Sequence, residues 1–145
     1  MISKKTRMNL LESQSRENKQ SLHEWRQVVE SIAAFATNQG GMIQIGIGPK
    51  GERFGIHIGK GALEDLSNKI KENTDPPQYP SITVEGAEEA GIIVIRVEES
   101  PIKPVWVFGR PLKRVGRINQ HLSREQAQRM VEASTGRWGR QSKKA

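Results

Sequence analysis

The chain has 145 residues, no cysteine and a formal net charge of +7. That length fits one domain around a single core, and the absence of cysteine excludes disulfides and thiolate metal sites. His23, His57 and His121 are too scattered for zinc spacing, and the apolar runs, such as Ile92 to Ile95, are too short to span a bilayer.

The elements expected from the sequence follow in chain order. Residues 1–10 read as a basic arm with no apolar stretch behind them, so no signal peptide is expected and the protein is expected in the cytoplasm, away from membranes. Residues of about 8–20 are polar and extended. Ser21 and Glu24 form an S-x-x-E capping box. Leu22, Trp25, Val28, Val29, Ile32, Phe35 and Ala36 then recur at helical spacing, which predicts a helix over about 21–39. Gly40-Gly41 can end it through a positive φ. Strands are expected at about 42–47 and 53–58, joined by Gly48-Pro49-Lys50-Gly51. A second helix is expected from Ala62 to Asn73, stopped by Asp75-Pro76-Pro77. Strands at about 81–86 and 91–97 follow, then a hairpin of Val105–Phe108 with Leu112–Ile118 around Gly109-Arg110-Pro111. Ser123 with Gln126 opens a last helix through a second capping box. The expected fold class is α+β: one compact domain over 11–135 with a mixed sheet of hairpins and about three helices, followed by a mobile basic tail over 136–145.

The charge is segregated. Lys4, Lys5, Arg7, Arg137, Arg140, Lys143 and Lys144 lie in the two ends, and without them the chain has 16 basic and 16 acidic residues. Within the body, Ser100 to Arg124 holds six Lys or Arg and no acid, while Glu85, Glu88, Glu89, Glu98 and Glu99 cluster just before it. A basic face of this kind suits a polyanion such as RNA or DNA.

Several short motifs occur in a fixed order. Ala34-Phe35-Ala36, Asn38, Gly40-Gly41 and Ile45-Gly46-Ile47 form the longest. Glu12 and Glu17-Asn18-Lys19 precede it as E-x4-E with a following lysine, Asn18 taking an apolar place. Gly55-Ile56, Lys103-Pro104, and Arg114, Gly116 and Asn119 ahead of Ser123 come later. Together they resemble the Schlafen Alba-like domain family over about residues 12–131. The resemblance implies that α+β fold and a nucleic-acid-binding role. It also raises a homodimer, since relatives often present two copies of the module side by side.

Three site readings follow. Some Schlafen relatives cleave RNA with metal-bound carboxylates, two from the E-x4-E segment and an Asp after the G-G-x-x-x-I-G strand. Glu12 and Glu17 fill two of those places as candidate ligands for Mg²⁺ or Mn²⁺, with Lys19 as a further catalytic candidate. The third place falls on Gly48 or Pro49, which offer no ligating side chain. The competing role for Glu12 and Glu17 is pairing with basic residues. The second reading is Gly46-Ile47-Gly48-Pro49-Lys50-Gly51, which formally matches G-x-G-x-x-G; a strand rather than a helix is expected after it, so a turn is the better reading. Gly59-Lys60-Gly61 likewise lacks the rest of a Walker loop. The third reading is a phosphate-binding surface of Lys103, Arg110, Lys113, Arg114, Arg117, His121 and Arg124, extended by Arg137 and Arg140. Trp106 or Trp138 could stack on a base, although core is the plainer role for Trp106. Such binding needs no cofactor. A protein-binding accessory module, using the acidic stretch from Glu85 to Glu99, is the remaining alternative.

Overall fold

The computed structural model describes the backbone of residues 13–143 and the side chains of residues 13–135. The N-terminal arm, Glu12, and the side chains of Arg137, Trp138 and Arg140 therefore lie outside the described residues. Strand β1 (Arg16–Lys19) leads into a 3-10 turn at Leu22–Glu24 and helix α1 (Trp25–Thr37). Strand β2 (Gly41–Ile45), helix α2 (Ala62–Asn73) and strands β3 (Thr74–Asp75), β4 (Ser81–Glu85) and β5 (Ile92–Val97) follow. Strands β6 (Trp106–Val107), β7 (Arg110–Val115) and β8 (Ile118–His121) precede the last helix, α3 (Arg124–Lys143). The result is an α+β domain of three helices and two four-stranded sheets, ordered β1-β2-β5-β4 and β3-β6-β7-β8. In the first sheet β1 runs parallel to β2 and the other pairs are antiparallel; the second is antiparallel throughout.

α1 lies between the sheets, and this explains its composition. Nine of its residues are buried, Val28 through Thr37 apart from Glu30. Ile32, Phe35 and Ala36 share one core with Ile43, Ile45, Ile93 and Ile95 of the first sheet and Val107 and Leu112 of the second. Leu66 and Ile70 of α2 close it from the side. A helix wrapped on several sides must be apolar over much of its circumference, as this one is.

Three expectations need correction. The Ser21 hydroxyl accepts from the His23 N–H (3.3 Å), but it heads the 3-10 turn, and α1 begins one turn later with no side-chain cap at Glu24. Residues 53–58 form no strand, only isolated bridges of Arg53 to Ile47 and Ile56 to Gly91, because Gly55 adopts φ +71° and breaks the extended run. Leu112–Ile118 is not one strand. Val115 pairs with Ile118 around Gly116-Arg117, with Gly116 at φ +59°, so the chain reverses inside the span read as continuous. The helical backbone of α3 runs to Lys143, within the segment read as a basic tail.

Candidate nucleic-acid interface

Glu17 and Arg114 come together at the centre of the fold. Both belong to motifs that suggested function, and both are inside: Glu17 is 5% exposed and Arg114 1%. Arg114 Nη1 donates to Glu17 Oε1 (2.8 Å) and to Asn119 Oδ1 (2.8 Å). Its Nη2 donates to the carbonyls of Ser13 (3.1 Å) and Arg16 (3.4 Å), and its Nε to Ser13 O (3.3 Å) and Gly116 O (3.2 Å). The guanidinium carbon stands 4.8 Å from the centre of the Phe35 ring. Glu17 Oε2 accepts from the Ser31 hydroxyl, whose oxygen in turn accepts from Asn119 Nδ2 (2.8 Å). A buried charge persists only when paired and fully hydrogen-bonded. Here one network satisfies the ion pair and ties β1, α1, β7 and β8 together.

The same logic explains other motif residues. Asn38 Nδ2 donates to Arg114 O (2.7 Å) and its Oδ1 accepts from the Arg114 N–H (3.1 Å), clamping the end of α1 to β7. Lys103 Nζ donates to Asn38 O (3.0 Å) and to Glu99 Oε2 (2.8 Å). A cation at a helix C-terminus is favoured by the helix dipole. Thr37 Oγ1 accepts from the Val105 N–H, and Ala36 O from the Ser100 N–H. The carbonyls that α1 leaves open at its end thus find donors.

These placements correct the sequence reading. Arg114 is an internal strut and is not a surface phosphate contact. Lys103 caps α1 and pairs with Glu99. Glu17 has both oxygens engaged inside the fold. Lys19, the proposed catalytic partner, donates to Gln27 Oε1 (2.8 Å) on α1. Among the described residues no three His, Cys, Asp or Glu side chains are grouped to hold a metal ion. The space a side chain at Gly48 would enter is taken by the Glu52 carboxylate and the Phe54 ring. Gly48 N–H donates to Glu52 O and Gly51 N–H to Gly48 O, so the G-x-G-x-x-G match is a tight turn. Arg16, whose carbonyl serves Arg114, donates to Gln44 Oε1 (3.2 Å). Partial burial holds its guanidinium below the usual arginine range, and nearby Arg96 adds to this.

Five of the basic candidates remain on the surface. Arg110, Arg117, His121 and Arg124 are exposed and Lys113 is half-buried. Among the described residues none of the five pairs with a carboxylate. They do not share one sheet face. His121 lies opposite Leu112, on the side facing α1, and Lys113 lies opposite Gln120 on the other side. Arg117 occupies the β7–β8 turn, and Arg124 begins α3 behind the Ser123–Gln126 capping box, whose two reciprocal bonds measure 3.0 and 3.1 Å. These side chains therefore surround the β7–β8 hairpin, whose outer strand is the edge of its sheet among the described residues. Trp106 is more than one-third exposed, on the outer side with Pro111. No helix among the described residues is long and apolar enough to cross a membrane.

One cluster was missed from the sequence. Trp25 and Phe108 meet edge to face with ring centres 6.2 Å apart, and Arg26 and Lys69 stack on them. No periodicity or motif joins residues from α1, α2 and a hairpin turn; only the fold does.

Two solved structures share the architecture. The DIP2311 protein from Corynebacterium diphtheriae aligns at 18% identity with a TM-score of 0.65, covering 92% of this chain. This chain spans only 25% of that protein. The N-terminal domain of a Nitrosomonas europaea protein described as a "putative ATP-dependent DNA helicase RecG-related protein" aligns at 21% identity with a TM-score of 0.52. That match covers 76% of this chain and 80% of the other. At these identities the likeness is one of fold. No curated protein matches the chain in sequence. Residues 12–123 match the Schlafen, AlbA_2 family, and the chain belongs to that family.

Proposed function

We propose that this protein binds nucleic acid, chiefly through phosphates, around the β7–β8 hairpin and the start of α3. The observation that carries the reading is the set of four cations, Arg110, Lys113, Arg117 and Arg124, gathered with His121 around the hairpin and without a carboxylate partner among the described residues. Family membership and the fold shared with a helicase-related domain support it. Arginine and lysine at such positions neutralise phosphates and release counterions. From Arg110 to Arg117 the hairpin extends roughly 20 Å, enough to follow several phosphates. Among the described residues the unpaired cations gather on a hairpin and a helix start rather than along one helix, so base-edge readout plays little part. Binding of this kind requires no cofactor.

The test is titration of single-stranded RNA and DNA at several salt concentrations. If Arg110, Lys113, Arg117 and Arg124 all meet phosphates, the log–log slope on a single strand is roughly −2.8. Replacing Lys113 and Arg117 together by Glu reduces its magnitude by about 1.4 and weakens binding at low salt, with an unchanged melting temperature. Absence of binding at low salt, or binding indifferent to salt, overturns the reading.

A further inference from the structure

The β6–β7 turn is built against its own sequence. Val107 pairs with Arg110, leaving Phe108 and Gly109 as a two-residue loop with φ of +49° and +78°. Positive φ at both places is the type I′ pattern, which favours Asn or Gly at the first. A phenylalanine there is strained. Such strain persists only where the surroundings over-determine it, and it concentrates at functional sites. Here the Phe108 N–H is fastened to Asn73 O (3.2 Å) at the end of α2. The strained geometry keeps the Phe108 ring only half-buried, on the flank of α1.

What surrounds the ring is cationic. The Arg26 guanidinium lies 4.1 Å from the Phe108 ring centre and 5.6 Å from that of Trp25. Lys69 Nζ stands 4.7 Å over Trp25 and pairs with Asp65 (3.0 Å). Arg26 is exposed and has no carboxylate partner among the described residues. Arg110, opposite the inward-facing Val107, projects from the sheet face that packs on α1, the side on which Arg26 lies. An aromatic ring with a planar guanidinium laid on it offers a stacking surface, and the adjacent cations offer phosphate contacts.

We propose that the Arg26–Phe108 layer is a stacking platform for an unpaired base, which makes the preferred ligand single-stranded nucleic acid with Arg110 holding a flanking phosphate. The inference rests on the phosphate-binding reading above and adds a base-dependent component to it. Stacking of this kind tolerates any base, because each has a π-face.

The experiment compares a short oligouridylate with an abasic strand of the same length, on the full chain. Wild-type protein binds the oligouridylate roughly fivefold or more tightly than the abasic strand. Phe108→Asn, which suits the I′ turn, removes that preference without changing the salt slope, and Phe108→Trp retains it. Thermal melts check the fold. Should Phe108→Asn unfold the domain, Arg26→Gln, at an exposed helical position, removes the guanidinium from the stack and reduces the same preference. Equal affinity for both strands in wild type, or an undiminished preference in folded Phe108→Asn or Arg26→Gln, overturns the platform and leaves phosphate binding intact. Failure to bind either strand at low salt overturns both.

Discussion

Arg114 shows how far a single residue's position can reverse its meaning. In sequence it is one of six cations in an acid-free run and looks like a phosphate contact. In the fold it is the largest fully buried side chain among the described residues, with Glu17, Asn119 and three backbone carbonyls around it. The alternation Leu112, Arg114, Gly116 did place Arg114 on one side of the strand, but nothing in the sequence said that this side faces α1. Removing one partner of a buried pair strands the other, so Arg114→Ala is expected to cost about 3–5 kcal/mol in a urea melt. Glu17→Leu with Arg114→Met removes both charges and should cost less than the sum of the single changes, because their coupling is lost only once. If Arg114→Ala instead melts like wild type and loses nucleic-acid binding, Arg114 is a ligand contact after all.

Between elements, the junction from α1 to β2 depends on two glycines for different reasons. Gly40 has φ +83°, donates to Phe35 O (2.8 Å), and leaves no room for a Cβ, which would lie 2.5 Å from Val97 O. Gly41 is not left-handed; its Cβ would lie 2.8 Å from the Phe35 ring and 2.9 Å from Ser15 O. Both Gly40→Val and Gly41→Val should lower stability by about 2 kcal/mol or more, one through backbone strain together with a backbone clash, the other through overpacking. Thermal melts decide the matter, and an unchanged midpoint for either overturns its explanation. This junction was legible because a helical period changes to an alternating one across a glycine pair. α2 was legible for a similar reason, with Leu63, Leu66 and Ile70 on one face and prolines beyond its end, and its observed span is Ala62–Asn73. The strand expected at 53–58 was not legible, because Gly55 looks like a tolerated strand glycine until its φ is known. Gly116 was hidden differently: one strand was read straight through it, while a second two-residue loop needed its positive φ. The division of the basic candidates into struts and surface residues needed tertiary partners, although the two struts, Lys103 and Arg114, are the ones that fall within the ordered motifs.

At the scale of the whole molecule, the excess positive charge sits in the two ends while the body has equal numbers of acids and bases. The free cations around the hairpin therefore act in a field set partly by residues far from them in sequence. Arg137, Arg140, Lys143 and Lys144 all fall within the last ten residues, where α3 continues to Lys143. The described anchors of α3 lie earlier: Ala127 is buried, and Ser134 Oγ donates to Pro101 O (3.1 Å). A chain ending after Thr135 should accordingly keep its melting temperature, because it retains the capping box and those anchors. It should bind single-stranded nucleic acid more weakly at low salt. If all four removed cations meet phosphates, the magnitude of its salt slope falls by about 2.8. A drop in melting temperature would instead make the end of α3 part of the folded core's support. An unchanged slope with unchanged affinity would confine the interface to the hairpin and the start of α3, and long-range charge would then contribute to encounter rate rather than to the bound state.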